Sequence, residues 1–240
     1  MRRKRASVLG VTAGLIAVLG WYLAQNPVLA SMLASDTGYL EFDPNIYIDR
    51  SLSASERDQI LANHAQALAR VSDIYGDAIA RPKLIFAGTA ETVQDLGISP
   101  FPARSYLMPW GEYSVFGPGN GTVDIIAHEL VHSEIVVRLG YFTYQRAVPA
   151  WFNEGAAMQV DFRHDRAWSY IQEDRELPPV SVIASAGEFF SGDRALHYAA
   201  AKVEVETWLA ADGNEGFYRF LSDLHAAPDF ESLYEAYGRN

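Results

Sequence analysis

The sequence predicts an α+β fold with a small N-terminal sheet and a helical C-terminal part, preceded by one transmembrane helix. Short apolar segments typical of strands come first, at residues 39–48, 83–87 and 113–116. Apolar residues at helical spacing follow from residue 122 onward. The chain begins differently, because residues 6–24 carry no charge. We therefore expect three parts, with the sheet between an apolar leader and the main helices.

The N-terminal segment has the charge pattern of a membrane anchor. Arg2, Arg3, Lys4 and Arg5 precede the uncharged stretch. About twenty apolar residues span a bilayer, whereas the apolar region of a cleaved signal peptide usually has about 7 to 15. The length predicts a signal anchor in residues 1–30 and a domain at 31–240, held outside the cytoplasm by one pass through the inner membrane. The alternative is a secreted or periplasmic protein cleaved near Ala30.

Charge and composition narrow the classes of partner and ligand. Residues 1–30 hold four basic and no acidic residues, which leaves 30 acids against 15 bases and a net charge of −15 for the remainder. Such a surface repels nucleic acid, so we expect no nucleic-acid partner and only the N-terminal helix in the membrane. Cysteine is absent. Any metal ligands must therefore be histidines or carboxylates.

Two local patterns organise the chain before residue 122. Ser53 and Glu56 form a capping-box signature that predicts a helix to about Tyr75, before Gly76. Residues 99–109 contain three prolines and are predicted to form a loop.

The sequence His128-Glu129-Leu130-Val131-His132 carries the strongest chemical signal. Side chains four residues apart lie on one helical face, so both imidazoles can reach one metal ion. Glu129 flanks that position and can deprotonate a water molecule there. Thr122 can cap this helix, and Gly140 ends it. The same pattern also occurs by chance, as two satisfied histidines on a half-buried helix.

A hydrolytic zinc site needs a third protein ligand, and Glu154 is the candidate. It lies in Trp151-Phe152-Asn153-Glu154-Gly155-Ala156, at the start of a second predicted helix. A carboxylate in that position is otherwise an ordinary partner of the helix dipole. The combination of both motifs resembles the gluzincin metallopeptidases, and most closely their small peptidase-MA-like domains. The resemblance implies a zincin-like fold that binds Zn²⁺ through His128, His132 and Glu154, with Glu129 as catalytic base.

The resemblance covers residue 122 to the C-terminus, strongly at the two metal helices and loosely beyond them. The later part carries Tyr198-Ala199-Ala200-Ala201 running on to Trp208. Two features differ from the aminopeptidase branch of the family: the spacer from His132 to Glu154 is longer, and no G-x-M-E-N sequence precedes the zinc helix. The resemblance also implies an edge strand that pairs with substrate, for which residues 113–116 are the candidate; an ordinary edge strand is the alternative.

Two further residues are candidates for stabilising an oxyanion. His197 and Tyr198 each offer a donor, and because neighbours on a helix diverge by about 100°, at most one faces the cleft. The resemblance favours Tyr198, and packing in the helical part is the alternative for both. His64 is interpreted as a core or boundary residue, His164 and His225 as solvated. Asp124 and Asp161 are interpreted as exposed acids, with orientation of a ligand histidine as the alternative.

These observations together predict a membrane-anchored zinc metallopeptidase that hydrolyses peptide or protein substrates outside the cytoplasm. The alternatives are a domain that binds zinc without catalysis and serves as an envelope interaction domain, and a chance motif in an interaction domain without metal.

Overall fold

The computed structural model of the protein describes residues 39–95, 102–163, 166–212 and 214–238. Five strands form one mixed sheet in the order β1-β2-β3-β5-β4. The central strands β2, β3 and β5 are parallel, whereas β1 and β4 lie antiparallel at the two edges. The strands are β1 (Tyr39–Asp43), β2 (Ile46–Asp49), β3 (Lys83–Phe86), β4 (Ala103–Met108) and β5 (Gly111–Phe116).

Helices alternate with the first strands and then make up the rest of the described chain. The helix α3 lies at the centre, because it contacts α1, α5, α9 and strand β4. The helices are α1 (Ala54–Tyr75), α2 (Ala90–Asp95), α3 (Val123–Leu139), α4 (Tyr141–Ala147), α5 (Ala150–Ala157), α6 (Arg166–Gln172), α7 (Ala186–Phe189), α8 (Arg194–Asp212), α9 (Asn214–Ala226) and α10 (Phe230–Tyr237). A 3₁₀ turn spans Val180–Ile183.

The capping box at the start of α1 is present as the sequence predicted. The Ser53 hydroxyl accepts from the Glu56 amide at 3.3 Å, and the Glu56 carboxylate accepts from the Ser53 amide at 2.8 Å. Both groups would otherwise leave amides of the first turn without a partner. The helix ends before Gly76, whose φ of 95° lies in the left-handed region.

The predicted loop at residues 99–109 is wrong for its larger part. Strand β4 occupies Ala103–Met108 and forms an antiparallel hairpin with β5. Pro102 and Pro109 flank this strand without entering it, so no amide that the ladder needs is lost. The prolines mark the two ends of the strand, whereas the prediction treated them as evidence against a strand.

The central helix α3 is closed at both ends by specific groups. The Thr122 hydroxyl accepts from the Ile125 amide at 3.4 Å. At the other end Gly140 has φ of 73°, and its amide donates to Val136 O at 2.7 Å. His225, predicted to be solvated, has Nδ1 2.7 Å from Leu139 O and so serves the last turn of the same helix.

Helix α5 packs against α8 at a distance that only glycine allows. A Cβ atom added to Gly155 would lie 2.4 Å from Ala201 O and 2.7 Å from a methyl group of Val205. Because the obstacle is backbone, it cannot turn aside as a flexible side chain would. The contact sets the position of α5, which carries Glu154, relative to α8, which carries Tyr198.

The predicted fold class needs a correction. The described chain is α+β with a five-stranded mixed sheet. No helix within residues 39–95, 102–163, 166–212 and 214–238 is both long and apolar enough to cross a bilayer. The anchor predicted at residues 1–30 lies outside the described residues. No described helix supports the transmembrane part of the predicted fold class or the inner-membrane location that depended on it.

Candidate metal centre

Three buried side chains meet where α3 faces α5. His128 and His132 lie one turn apart on α3, and Glu154 projects from α5. Glu154 Oε2 lies 3.4 Å from His128 Nε2 and 3.7 Å from His132 Nε2. One potential ligand atom from each residue lies within 4.8 Å of the others. The helical spacing of the two histidines therefore produces the convergence that a single ion requires.

The donor set fits zinc by its chemistry. Two imidazole nitrogens and one carboxylate are a known ligand combination of hydrolytic zinc sites, which keep a further position open. His128, His132 and Glu154 are each only 6–7% exposed, so burial restricts competition from solvent. These three residues are the ones that would hold the ion.

Asp161 is the acid that faces the outer nitrogen of the first histidine. Its side chain is fully buried, and Oδ2 lies 3.2 Å from His128 Nδ1. The interpretation of Asp161 as an exposed acid is therefore wrong, and the alternative describes its position. A carboxylate at Nδ1 orients the ring and leaves Nε2 for a metal.

The charges around His128 favour a positive charge at this point of the site. Burial alone would lower the pKa of the imidazole, but the carboxylates of Asp161 and Glu154 outweigh it and raise the pKa of His128 to about 10. Burial likewise acts to raise the pKa of Asp161. The Arg163 guanidinium and His128 overcome that effect and hold the pKa of Asp161 well below its usual range.

Asp124 acts at one remove from the metal residues. It pairs with Arg70 Nη1 at 2.5 Å, and the same guanidinium nitrogen donates to Val160 O at 2.9 Å. The Asp124 carboxylate also accepts from the Phe162 amide at 3.3 Å. Asp124 and Arg70 together hold the backbone on both sides of Asp161, and among the described residues Asp124 forms no hydrogen bond with His128 or His132.

The Glu129 carboxylate is held by Ser105, which is in turn bonded to Ser114, and the sequence analysis predicted neither serine. Ser105 Oγ, on β4, donates to Glu129 Oε2 at 2.5 Å. The Ser114 hydroxyl, on β5, lies 2.8 Å from Ser105 Oγ, and the two residues are paired across the strands. Ser105 fell in the segment predicted as a loop. The sequence of β4, Ala-Arg-Ser-Tyr-Leu-Met, does not alternate between apolar and polar residues, so no local pattern indicated the strand.

The edge strand beside the site is not the predicted one. Residues 113–116 belong to β5, which lies inside the sheet between β3 and β4. The edge is β4, and Arg104, Ser105 and Leu107 of that strand line a cleft of about 380 Å³. The prediction missed the hairpin, and with it the strand that covers β5.

Only one of the two predicted oxyanion donors lies in this cleft. Tyr198 lines it, and its hydroxyl donates to the Glu154 carboxylate. Burial, and then the carboxylates of Glu154 and Glu129, raise the pKa of Tyr198 well above its usual value, so the hydroxyl keeps its proton. His197 turns away, with Nδ1 2.7 Å from Phe189 O. The structure brings Tyr198 to the site and does not bring His197.

Two more residues line the cleft without having been predicted. Asn153 Nδ2 donates to Glu154 Oε1 at 3.4 Å. Tyr144, from α4, is largely buried, and burial followed by the Glu154 carboxylate raises the pKa of its hydroxyl. Asn153 directly precedes Glu154 in the second helix motif, whereas no sequence pattern indicated a role for Tyr144.

His64 is not among the residues that line the cleft. His64 is half-buried on α1, and burial lowers its pKa. His164 lies outside the described residues.

The chain was also compared with protein-family models and with curated proteins, and none of them matches it.

Proposed function

We propose that the protein is a zinc-dependent metallopeptidase. The observation that carries the proposal is the convergence of His128, His132 and Glu154 on one point, with Glu129 beside it in an open cleft. The resemblance of the two helix motifs to gluzincins supports the same activity. Peptides or proteins are the substrate class, because the cleft is bordered by β4, the edge strand of the sheet among the described residues.

The residues of the site have three roles in the proposed reaction. Some hold the metal ion, one transfers a proton, and one stabilises the negative charge of the oxyanion. Zinc bound by such a set supplies Lewis acidity and makes water acidic enough to be deprotonated near neutral pH. Glu129 takes the proton from the attacking water and later delivers it to the leaving amine. Ser105 holds the Glu129 carboxylate in the orientation that this transfer requires.

The oxyanion and the peptide backbone are served by other groups. The Tyr198 hydroxyl keeps its proton and lies within the same cleft, so it turns from the Glu154 carboxylate and donates instead to the developing oxyanion. Strand β4 lies at the edge of the sheet that the described residues form, so an extended peptide can add to the sheet there. The peptide then runs across the metal centre, with its scissile carbonyl between Glu129 and Tyr198.

The decisive experiment separates metal binding from proton transfer. The purified chain is loaded with zinc and assayed on casein, alongside Glu129→Gln and the control Glu176→Gln, whose side chain is exposed. Glutamine keeps the shape of Glu129 but removes its basicity, so hydrolysis should fall by roughly 10² or more while zinc content persists. Activity near wild type in zinc-loaded Glu129→Gln would rule out the mechanism. Stoichiometric zinc without any hydrolysis by the wild type would instead indicate a non-catalytic zinc-binding interaction domain.

A further inference from the structure

A second cavity adjoins the cleft and is larger than it. The cavity measures about 540 Å³ and lies between the end of α4, the start of α5 and residues 184–190. Its volume falls within the range of roughly 300–1,000 Å³ that small-molecule sites occupy. We call it the side pocket.

The side pocket and the cleft share one wall. Tyr144, Asn153, Glu154 and Phe190 line both of them. A ligand group in the side pocket therefore lies beside the candidate third metal ligand. Any peptide in the cleft can extend a side chain into it without leaving the site.

The chemistry of the lining selects the class of that side chain. Val148, Pro149, Ala150 and Ala184 present apolar surface, whereas Arg146 and Ser185 are exposed at the rim. Positive charge at Arg146 disfavours a basic group, and the apolar walls make burial of any charged group costly. An uncharged apolar group suits both.

Two anomalies lie on the shared wall. Phe190 is 43% exposed although it is large and apolar, so a ligand that covers it removes apolar surface from water. Asn153 is only 7% exposed, and its Oδ1 accepts no hydrogen bond from the described residues. A buried amide oxygen without a partner is costly, and a peptide N–H passing along the wall would satisfy it.

We propose that the side pocket is a specificity site that binds a bulky apolar side chain, preferably aromatic, of the peptide lying in the cleft. The proposal rests on the proposed function, since it assigns the substrate class of the same site. Phe190 and Tyr144 flank the aromatic ring, and Asn153 accepts a backbone N–H next to it.

Binding is measured apart from hydrolysis, in the full-length Glu129→Gln chain. The probes are fluorescently labelled hexapeptides of glycine and serine, blocked at both ends, with one phenylalanine or one alanine moved through every position. Fluorescence anisotropy gives Kd for each. At one position phenylalanine should bind about tenfold or more tightly than alanine, because the ring leaves water.

Variants then locate that gain. Ala186 lines the side pocket and is exposed, so Ala186→Trp fills the space and should abolish the preference for phenylalanine. Phe190→Ala should reduce it severalfold. Ala227→Trp, at an exposed residue that lines neither cavity, should keep it.

The outcomes distinguish this inference from the proposed function. Equal binding of phenylalanine and alanine peptides at every position, or a gain that survives Ala186→Trp, overturns the side pocket. A gain that Ala186→Trp abolishes, in a chain whose wild type hydrolyses nothing, upholds the pocket and overturns the peptidase.

Discussion

Ser105 Oγ donates a 2.5 Å hydrogen bond to Glu129 Oε2 and so connects the edge strand of the sheet to the proposed catalytic base. The connection continues to Ser114, which is fully buried on the neighbouring strand. A carboxylate that is held from one side loses rotamer freedom and presents its other oxygen in a defined direction. In the proposed mechanism the sheet therefore contributes by orienting Glu129.

Replacing Ser105 with alanine should lower kcat about tenfold, with KM and zinc content nearly unchanged. The reason is that Glu129 keeps its basicity but loses its positioning partner. Ser105→Thr retains the hydroxyl and should restore most of kcat, whereas Ser55→Ala, exposed on α1, is the control. Steady-state kinetics with zinc determination checks the prediction. Wild-type kcat in Ser105→Ala would show that Glu129 needs no such support.

Removing any one metal residue should remove most of the bound zinc. His128→Ala, His132→Ala and Glu154→Ala each delete one of three ligands, and three leave little redundancy. Asp161→Asn should keep the stoichiometry but weaken affinity about 10- to 100-fold, because Asp161 only orients His128. Zinc per chain is measured by mass spectrometry after dialysis. If Glu154→Ala retains full occupancy while Asp161→Ala does not, the third ligand is Asp161.

Tyr198→Phe should lower kcat by about 10 to 10³, with little effect on KM. A donor that acts on the oxyanion contributes in the transition state and hardly in ground-state binding. His197→Ala should leave kcat near wild type, because its ring bonds to Phe189 O outside the cleft. Kinetics on the two variants in parallel checks the pair. A loss confined to His197→Ala would transfer the role to His197.

Glu112 should make stability fall as pH rises. Burial, with a further contribution from the Glu134 carboxylate, raises the pKa of Glu112 to about 7 from the ordinary value of 4.5. Between these values the folded protein binds a proton that the unfolded chain has released, so unfolding becomes easier with each step upward in pH. Glu112→Gln should raise Tm relative to wild type at pH 8, and the difference should vanish by pH 4. Thermal melts across this range check it, with Glu176→Gln as the exposed control. A Tm difference independent of pH would refute the assignment.

Periodicity was sufficient to predict α3 and the shared face of His128 and His132. An α-helix has a fixed number of residues per turn, so residues four apart in the sequence lie on the same face of the helix. Glu154 came from the resemblance alone, since a ligand on another helix depends on a tertiary contact that no local pattern contains. That contact includes the glycine at position 155, and its need for close approach is visible only once α8 is in place.

The supporting residues were missed for identifiable physical reasons. Ser105 lies in a strand bounded by prolines, and the prolines indicated a loop more strongly than the residues between them indicated a strand. Asp161 precedes a polar run that suggests solvent, yet it is fully buried because Arg163 and His128 neutralise it. Burial of a charge depends on its partners, and a partner distant along the chain, as His128 is from Asp161, leaves no mark in the local sequence.

The close approach at Gly155 also has a mechanical consequence. Because α5 meets α8 through backbone atoms, this contact fixes the spacing between Glu154 on α5 and Tyr198 on α8. Glu129 rides on α3 and is tied to the sheet through Ser105. Relative motion of these two supports would alter the gap between Glu129 and Tyr198, and it would also separate His128 and His132 on α3 from Glu154 on α5. An ion held by those three residues would therefore fix the distance between base and oxyanion donor as well.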